Sequence, residues 1–379
     1  MKKPPVAERH FFRDMGVPTN VYLSCISERF LPRLVSVLEL DSESKTIREV
    51  FDALTGPSFA ASSSGAEGYC NSLSGSTSPL EFCLIMAREG CTGLQYSFEP
   101  VSNEVDGSRR IAYSMNRISA FINYLNWGAA LPMLDRVYEA FVMNNSYRLK
   151  ALYCSVAHVL KNPIRVKVYF AADNTGFSPD DLFRICAALG YSNPQKEVMW
   201  LLEAVACNGV HMIGLNFQEN TVRSVKFYVF KPYMHLALIN RLASAGNLPL
   251  RCYYLLLRWY QTFVNRASGR LGWYGIGVNS GQLEQPRVEL YVYSDESRAL
   301  EFHCALEKWI RRQLSERGWK VIKDVLSEDI HYGSYSPLTA GPVGLGFELA
   351  ARDCPGHMGI YISPVMFKDA KLRDNEMGV

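Results

Sequence analysis

Five times along this chain a short segment alternates apolar with polar residues, and each such segment follows another across a turn. The second members are alike: LQYSFEP (94–100), VKVYFAA (166–172), VKFYVFKP (225–232), VELYVYS (288–294) and MGIYISP (358–364). Alternation with a period of two is the pattern of a strand that shows different faces to different surroundings. The pairs predict hairpins at 81–87 with 94–99, 150–158 with 165–171, 209–216 with 223–231, 271–279 with 287–293, and 345–350 with 357–363. Between them, 109–143, 178–204, 233–265 and 295–325 carry apolar residues at three- and four-residue spacing, which predicts helices. SPDD at 178–181 supplies a helix start, with Ser178 as cap, Pro179 in the first turn and two acids at the positive end of the dipole.

Tyr169, Tyr228, Tyr291 and Tyr361, the central tyrosines of the last four repeats, recur at intervals of roughly 60 to 70 positions, so one supersecondary unit is used several times. Each unit is a hairpin plus two helices. Antiparallel hairpins remove their open edges by closing on themselves. The predicted fold is therefore α+β: a ten-stranded antiparallel β-barrel of five hairpin-plus-two-helix repeats inside a ring of helices.

Parity assigns the faces. Arg165, Lys167 and Tyr169 share one side of their strand, as do Ser224, Lys226 and Tyr228, then Arg287, Glu289 and Tyr291, then His357, Gly359 and Tyr361. The valines, isoleucines and phenylalanines between them form the other side. If helices cover the apolar side, the lysines and tyrosines face the barrel interior. A lysine there costs several kcal/mol unless it meets water, a counter-charge or an anionic ligand. The convergence points to a site for a polyanion beside an apolar group.

Composition narrows the class. At 48% hydrophobic and 12% aromatic residues, the 379-residue chain can bury a large core and is too apolar for disorder. Forty basic and 37 acidic residues, interspersed, argue against a nucleic-acid groove or a membrane patch. The N-terminus MKKPPVAERHFF lacks an apolar signal region, and the longest aliphatic run, near YYLLL at 253–257, falls far short of a span, so the expected location is cytoplasmic. Ten scattered cysteines without a CxxC pair, among them Cys83, Cys154, Cys186 and Cys304 in apolar segments, read as buried free thiols. The histidines show no metal-ligand spacing; His211 and His357 fall on strands, where a structural role is expected. One domain is expected over 1–365, with a flexible loop at about 56–79 that is either a lid or a surface loop, and a disordered tail at 366–379.

At this point the sequence resembles the aromatic prenyltransferases of the dimethylallyltryptophan synthase type, with the ABBA barrel, and in particular their bacterial branch. The resemblance spans about residues 75–363. It rests on SPLEFCLIM (78–86), similar to the family's first barrel strand with an acid after a proline, on LQYSFEP, on the two Lys-x-Tyr strands, and on VELYV and GIYIS. It implies that Glu81 grips the indole N–H, that Lys167 and Lys226 hold the diphosphate with help from Arg165, Gln95 and Arg287, and that Tyr169, Tyr228, Tyr291 and Tyr361 shield the allylic cation. Trp273 or Tyr274, in the glycine-rich strand LGWYGIGVNSG, would stack on the aromatic acceptor. The co-substrates would be a prenyl diphosphate and an aromatic small molecule. No metal or other cofactor is required, since there is no DDxxD motif and Asp180-Asp181 belongs to a helix start. A monomer or weak homodimer is expected.

Three departures matter. Gln95 and Ser224 stand where the family carries arginines, and Glu289 stands where a neutral polar group is common and would repel diphosphate unless paired with Arg287 or a lysine. Weaker donor binding, a different donor or altered chemistry all fit. A barrel that binds an amphiphile or anion without catalysis, or a transferase acting on a phenol or another arene, are the competing readings.

Overall fold

The computed structural model describes residues 23–59, 80–100, 107–142, 149–173, 176–190, 199, 202–203, 209–231, 234–245, 249–264, 272–281, 284–294, 299–326, 339–349 and 358–365. The parts of the expected loop at 60–79, the tail at 366–379 and His357 lie outside the described residues.

Ten strands close into one antiparallel barrel: β1 (Leu80–Ala87), β2 (Gly90–Phe98), β3 (Leu149–Val159), β4 (Arg165–Ala172), β5 (Met212–Gln218), β6 (Thr221–Lys231), β7 (Gly272–Gly281), β8 (Glu284–Ser294), β9 (Thr339–Leu349) and β10 (Met358–Val365). Each pairs with its sequence neighbours, and β1 pairs with β10 to complete the ring. All five expected hairpins are present. β9 begins at Thr339, earlier than the alternation predicts, because GPVG at 341–344 carries no polar–apolar signature and a proline argues against a strand. The proline is tolerated where the register with β10 shifts, between the pairs Tyr361↔Gly344 and Ile362↔Pro342.

The helices lie outside. α1 (Leu31–Val37) continues a π-helical turn (Ile26–Phe30), and α2 (Ser44–Phe59) follows. α3 (Gly107–Tyr124), α4 (Leu131–Val142) and α5 (Pro179–Ala188) come next, then α6 (Leu236–Ala245), α7 (Leu250–Phe263), α8 (Ala299–Gln313) and α9 (Glu316–Leu326). α5 starts on the expected cap: the Asp181 backbone N–H donates to Ser178 Oγ, and the Ser178 backbone N–H donates to the Asp181 carboxylate at 2.8 Å. The sequence reading placed no helix before residue 60. Leu31, Leu34, Val35 and Leu38 nevertheless have the spacing of one buried helical stripe, and all four are buried. α2 runs through Phe59, so residues 56–59 belong to a helix and not to the expected loop.

Packing sorts the strand residues into two separate sets. Val166, Val168 and Phe170 of β4, Val225, Phe227 and Val229 of β6, and Ile360 and Ile362 of β10 join the large core between barrel and helices. Phe82 of β1 sits there between Phe30 (5.3 Å between ring centroids), Phe51 and Tyr96. A side chain buried so completely contributes about 1.5–3 kcal/mol by removal from water. Tyr153, Tyr169, Tyr228 and Tyr291 belong to a second, disconnected cluster inside the barrel. The alternation seen in sequence is thus the boundary between these two environments.

Candidate active site

Cross-strand register brings the interior residues onto one continuous wall. Cys83 of β1 faces Tyr361 of β10 on one side and Gln95 of β2 on the other. Lys167 of β4 lies opposite Asn216 of β5, and Tyr169 opposite Gly214. Tyr228 of β6 pairs with Gly277 of β7, Gly277 with Glu289 of β8, and Tyr291 with Gly346 of β9. Glycines face several of the tyrosines, and the rings lie over them: a Cβ added at Gly346 would stand 2.8 Å from the Tyr291 ring.

The four expected tyrosines form an arc. Ring centroids are 5.9 Å apart for Tyr169–Tyr228, 5.8 Å for Tyr228–Tyr291 and 6.2 Å for Tyr291–Tyr361. Burial raises the pKa of each, so the rings stay neutral phenols. Tyr293 extends the arc, 5.5 Å from Tyr361, and Tyr153 packs in the same interior cluster. Both were missed, although Tyr293 follows Tyr291 by two positions and so shares its face. Tilted rings at these distances present π-faces to whatever occupies the chamber, and such faces attract cations.

The interior charges differ in their surroundings. Lys226 is buried, and its Nζ donates to Glu289 Oε2 and, at 2.6 Å, to the Tyr291 hydroxyl; that hydroxyl donates in turn to the same carboxylate oxygen. The Lys226 ammonium also lies 5.1 Å and 5.3 Å from the ring centroids of Tyr228 and Tyr291. Burial works to raise the Glu289 pKa, but Lys226, Lys167 and the two hydrogen bonds outweigh it and hold the carboxyl below its ordinary value. Lys167 is half-buried and has no salt bridge among the described residues. Burial, then the like charge of Lys226, lowers its pKa to about 8.

Glu81 is the third element. It is 3% exposed, its Oε2 has no hydrogen-bond partner among the described residues, and burial pushes its pKa up to about 8. Its charge acts on Cys83, Tyr293 and Tyr361, which places it in the same chamber. Gln95 is buried beside it on the next strand. The chamber therefore presents cations and phenol faces on one stretch of wall and a carboxyl group with an unused acceptor on another.

Other expected residues fall differently. Tyr274 does not stack in the interior. It is fully buried on the outer face, donates to the Phe263 backbone carbonyl at 2.9 Å and meets Trp259 edge-on at 5.8 Å. The reason is parity: Gly275 and Gly277 face inward against Tyr291 and Lys226, which turns Tyr274 toward α7. Arg165 shares the face of Lys167 but is exposed, at the first residue of its strand. The side chains of Trp273 and Arg287 lie outside the described residues. His211 is half-buried just before β5, and its Nδ1 accepts from the Phe230 N–H at 3.3 Å, a structural role. Among the described residues no cysteine forms a disulfide; Cys304 is exposed, contrary to expectation. No group of acidic, histidine or cysteine residues able to hold a metal occurs among the described residues, and no described helix is long and apolar enough to cross a membrane.

No protein-family model matches the chain, and no curated protein matches it in sequence. Solved structures do. The chain is similar to the prenyltransferase PriB in its apo form, with a TM-score of 0.65 at 17% identity over 90% of this chain and 95% of that one. The barrel has the prenyltransferase fold. A second similar structure is 6-dimethylallyltryptophan synthase from Micromonospora olivasterospora in complex with DMASPP and Trp, with a TM-score of 0.64 at 15% identity over 92% of this chain and 98% of that one. AnaPT from Neosartorya fischeri shares the fold at 12% identity, with a TM-score of 0.59 over 92% of this chain and 95% of that one. The ABBA architecture expected from the repeats is thus the one observed.

Proposed function

We propose that this protein is an aromatic prenyltransferase that moves a dimethylallyl or longer prenyl group from its diphosphate onto an indole-containing small molecule. The observation that carries the reading is one chamber holding Lys167 and Lys226 beside an arc of neutral phenol rings, with the buried Glu81 carboxyl close enough to act on those same rings. Several solved structures of the same fold are dimethylallyltryptophan synthases by name, and two of them hold DMASPP and Trp, which supports the same substrate classes here.

Each step uses a group in place. Breaking the allylic C–O bond puts negative charge on diphosphate, which Lys167 and Lys226 stabilise from fixed positions. The allylic cation develops against the faces of Tyr169, Tyr228, Tyr291 and Tyr361. The Glu81 carboxylate accepts the indole N–H, raises the ring's electron density toward the cation, and assists removal of the ring proton as aromaticity returns. Arg165 at the chamber's rim and Gln95 inside assist donor binding; Trp273 and Arg287 are further candidates. The lysines take the role a metal would have, so no metal is required. The protein works in the cytoplasm, in specialised metabolism, as a monomer or weak homodimer.

The test is incubation of the purified protein with dimethylallyl or geranyl diphosphate and a panel of tryptophan, cyclic dipeptides and phenols, with chelator present, followed by mass spectrometry. Prenylated indole and released diphosphate are expected. Product only with phenols would move the acceptor class, and product only without chelator would overturn metal independence. Neither product nor diphosphate release would favour a binding barrel without catalysis, a reading the neutralisation of Lys226 by Glu289 also suits.

A further inference from the structure

The two interior lysines are not equivalent. Lys226 spends its ammonium on Glu289 and the Tyr291 hydroxyl, whereas Lys167 has no salt bridge among the described residues. The pair is also not a contact between adjacent strands. Lys226 is on β6 and Glu289 on β8, with β7 between them. The crossing is open because β7 carries Gly277 there: a Cβ would stand 3.0 Å from Lys226 Cε and 3.3 Å from the Tyr291 ring. A glycine, a lysine, a tyrosine and a glutamate on three strands thus combine to seat one carboxylate oxygen on two donors inside the barrel. An anion on such a pair of donors resembles a bound phosphate oxygen.

We propose that Glu289 is a resident stand-in for the ligand's phosphate, an internal competitor that must yield Lys226 and Tyr291 before a diphosphate can take them. This rests on the reading of the chamber as a diphosphate site. Displacement exchanges one anion for another, so a ligand with a single negative charge gains nothing from it. A diphosphate gains, because it brings several charges to Lys226 and to Lys167 together. Glu289 therefore selects for polyanionic phosphate heads and against carboxylate-headed amphiphiles of similar shape.

Isothermal titration with inorganic pyrophosphate and with octanoate tests this on four proteins: wild type, Glu289→Gln, Lys226→Gln and the double variant. Glu289→Gln is expected to bind pyrophosphate at least tenfold more tightly than wild type and to bind octanoate that wild type rejects. In the Lys226→Gln background, where Glu289 no longer holds an ammonium, adding Glu289→Gln is expected to tighten pyrophosphate binding clearly less than it does in wild type; should Glu289→Gln alone not fold, Glu289→Asp, which keeps the charge on a shorter side chain and so loosens its hold on Lys226, replaces it and is likewise expected to bind pyrophosphate more tightly. Binding no tighter than wild type in the position-289 variant overturns the proposal, since Glu289 would then position Lys226 and not compete for it, and a gain as large with Lys226→Gln as without it overturns it as well, since Glu289 would then repel the anion without holding Lys226. No binding of pyrophosphate by any of the four overturns both this proposal and the diphosphate site. Tighter binding in Glu289→Gln, in a protein whose wild type turns over no prenyl diphosphate, would overturn prenyl transfer and leave the competitor in place.

Discussion

Replacing Glu81 by glutamine should make the ligand-free protein more stable, and only above a certain pH. The carboxyl sits where water scarcely reaches, and burial lifts its pKa from 4.5 to about 8. A carboxyl whose folded pKa lies above its unfolded one contributes its full stability below pH 4.5. That contribution is lost as pH rises toward 8, because the unfolded chain ionises first. At about 1.4 kcal/mol per pH unit, the difference amounts to about 5 kcal/mol once the pH exceeds both values, and to about 3 kcal/mol at neutrality. Glutamine has the same shape and no charge. Urea unfolding of both proteins at about pH 4 and about pH 8.5 reads the effect directly, as a gap in unfolding free energy that is near zero in acid and about 5 kcal/mol in base. Parallel curves, with the same gap at both ends, would refute the idea that Glu81 is buried without a cation. Turnover should be lost in the same variant, which would make Glu81 a group that costs the fold stability in exchange for chemistry.

Two further outcomes follow from the site. Lys167, lowered to about 8, gives up its proton as pH rises through that value, so pyrophosphate affinity in the free protein should fall between about pH 7 and 9; Lys167→Arg, which stays charged, should flatten the titration, and an unchanged slope would remove Lys167 from the anion site. Tyr274→Phe should cost about 1–2 kcal/mol in thermal or urea unfolding, by leaving the Phe263 carbonyl without its donor, and should leave kcat and KM unchanged; a stable variant with crippled turnover would return Tyr274 to the chamber.

The barrel and most of its chamber were legible because β4, β6, β8 and β10 each carry tyrosine, and β4 and β6 lysine as well, on one face and valine, leucine, isoleucine or phenylalanine on the other. Where that contrast fails, reading fails. β7 has glycines at 275 and 277 on one face and Tyr274 and Ile276 on the other, so an amphipathic tyrosine gave no sign of its direction. Only the register with β8, which sets Gly275 opposite the inward-facing Tyr291, turns it outward. Arg165 shows the other limit: parity gives the face, but not how far along the barrel a residue sits, and at the strand's first position it is exposed. The Glu289 anomaly was visible as a charge in need of a partner. Its bond to Lys226 across β7 depends on the missing side chain of Gly277, a contact no local pattern encodes. The Leu31–Leu38 stripe, by contrast, was present in the sequence and went unread.

The ring is sealed where the first strand meets the last, and Glu81, Cys83 and Tyr361 all lie on that seam. Nothing short of a chain that reaches β10 can bring them together. During synthesis all ten strands must leave the ribosome before the last edge is covered, and until then β1 and β9 expose unpaired backbone to any passing strand. A copy that ends before residue 358 would leave both edges open and Glu81 and Cys83 without Tyr361 beside them, so the loss of β10 alone would cost both the closed barrel and the seam of the chamber.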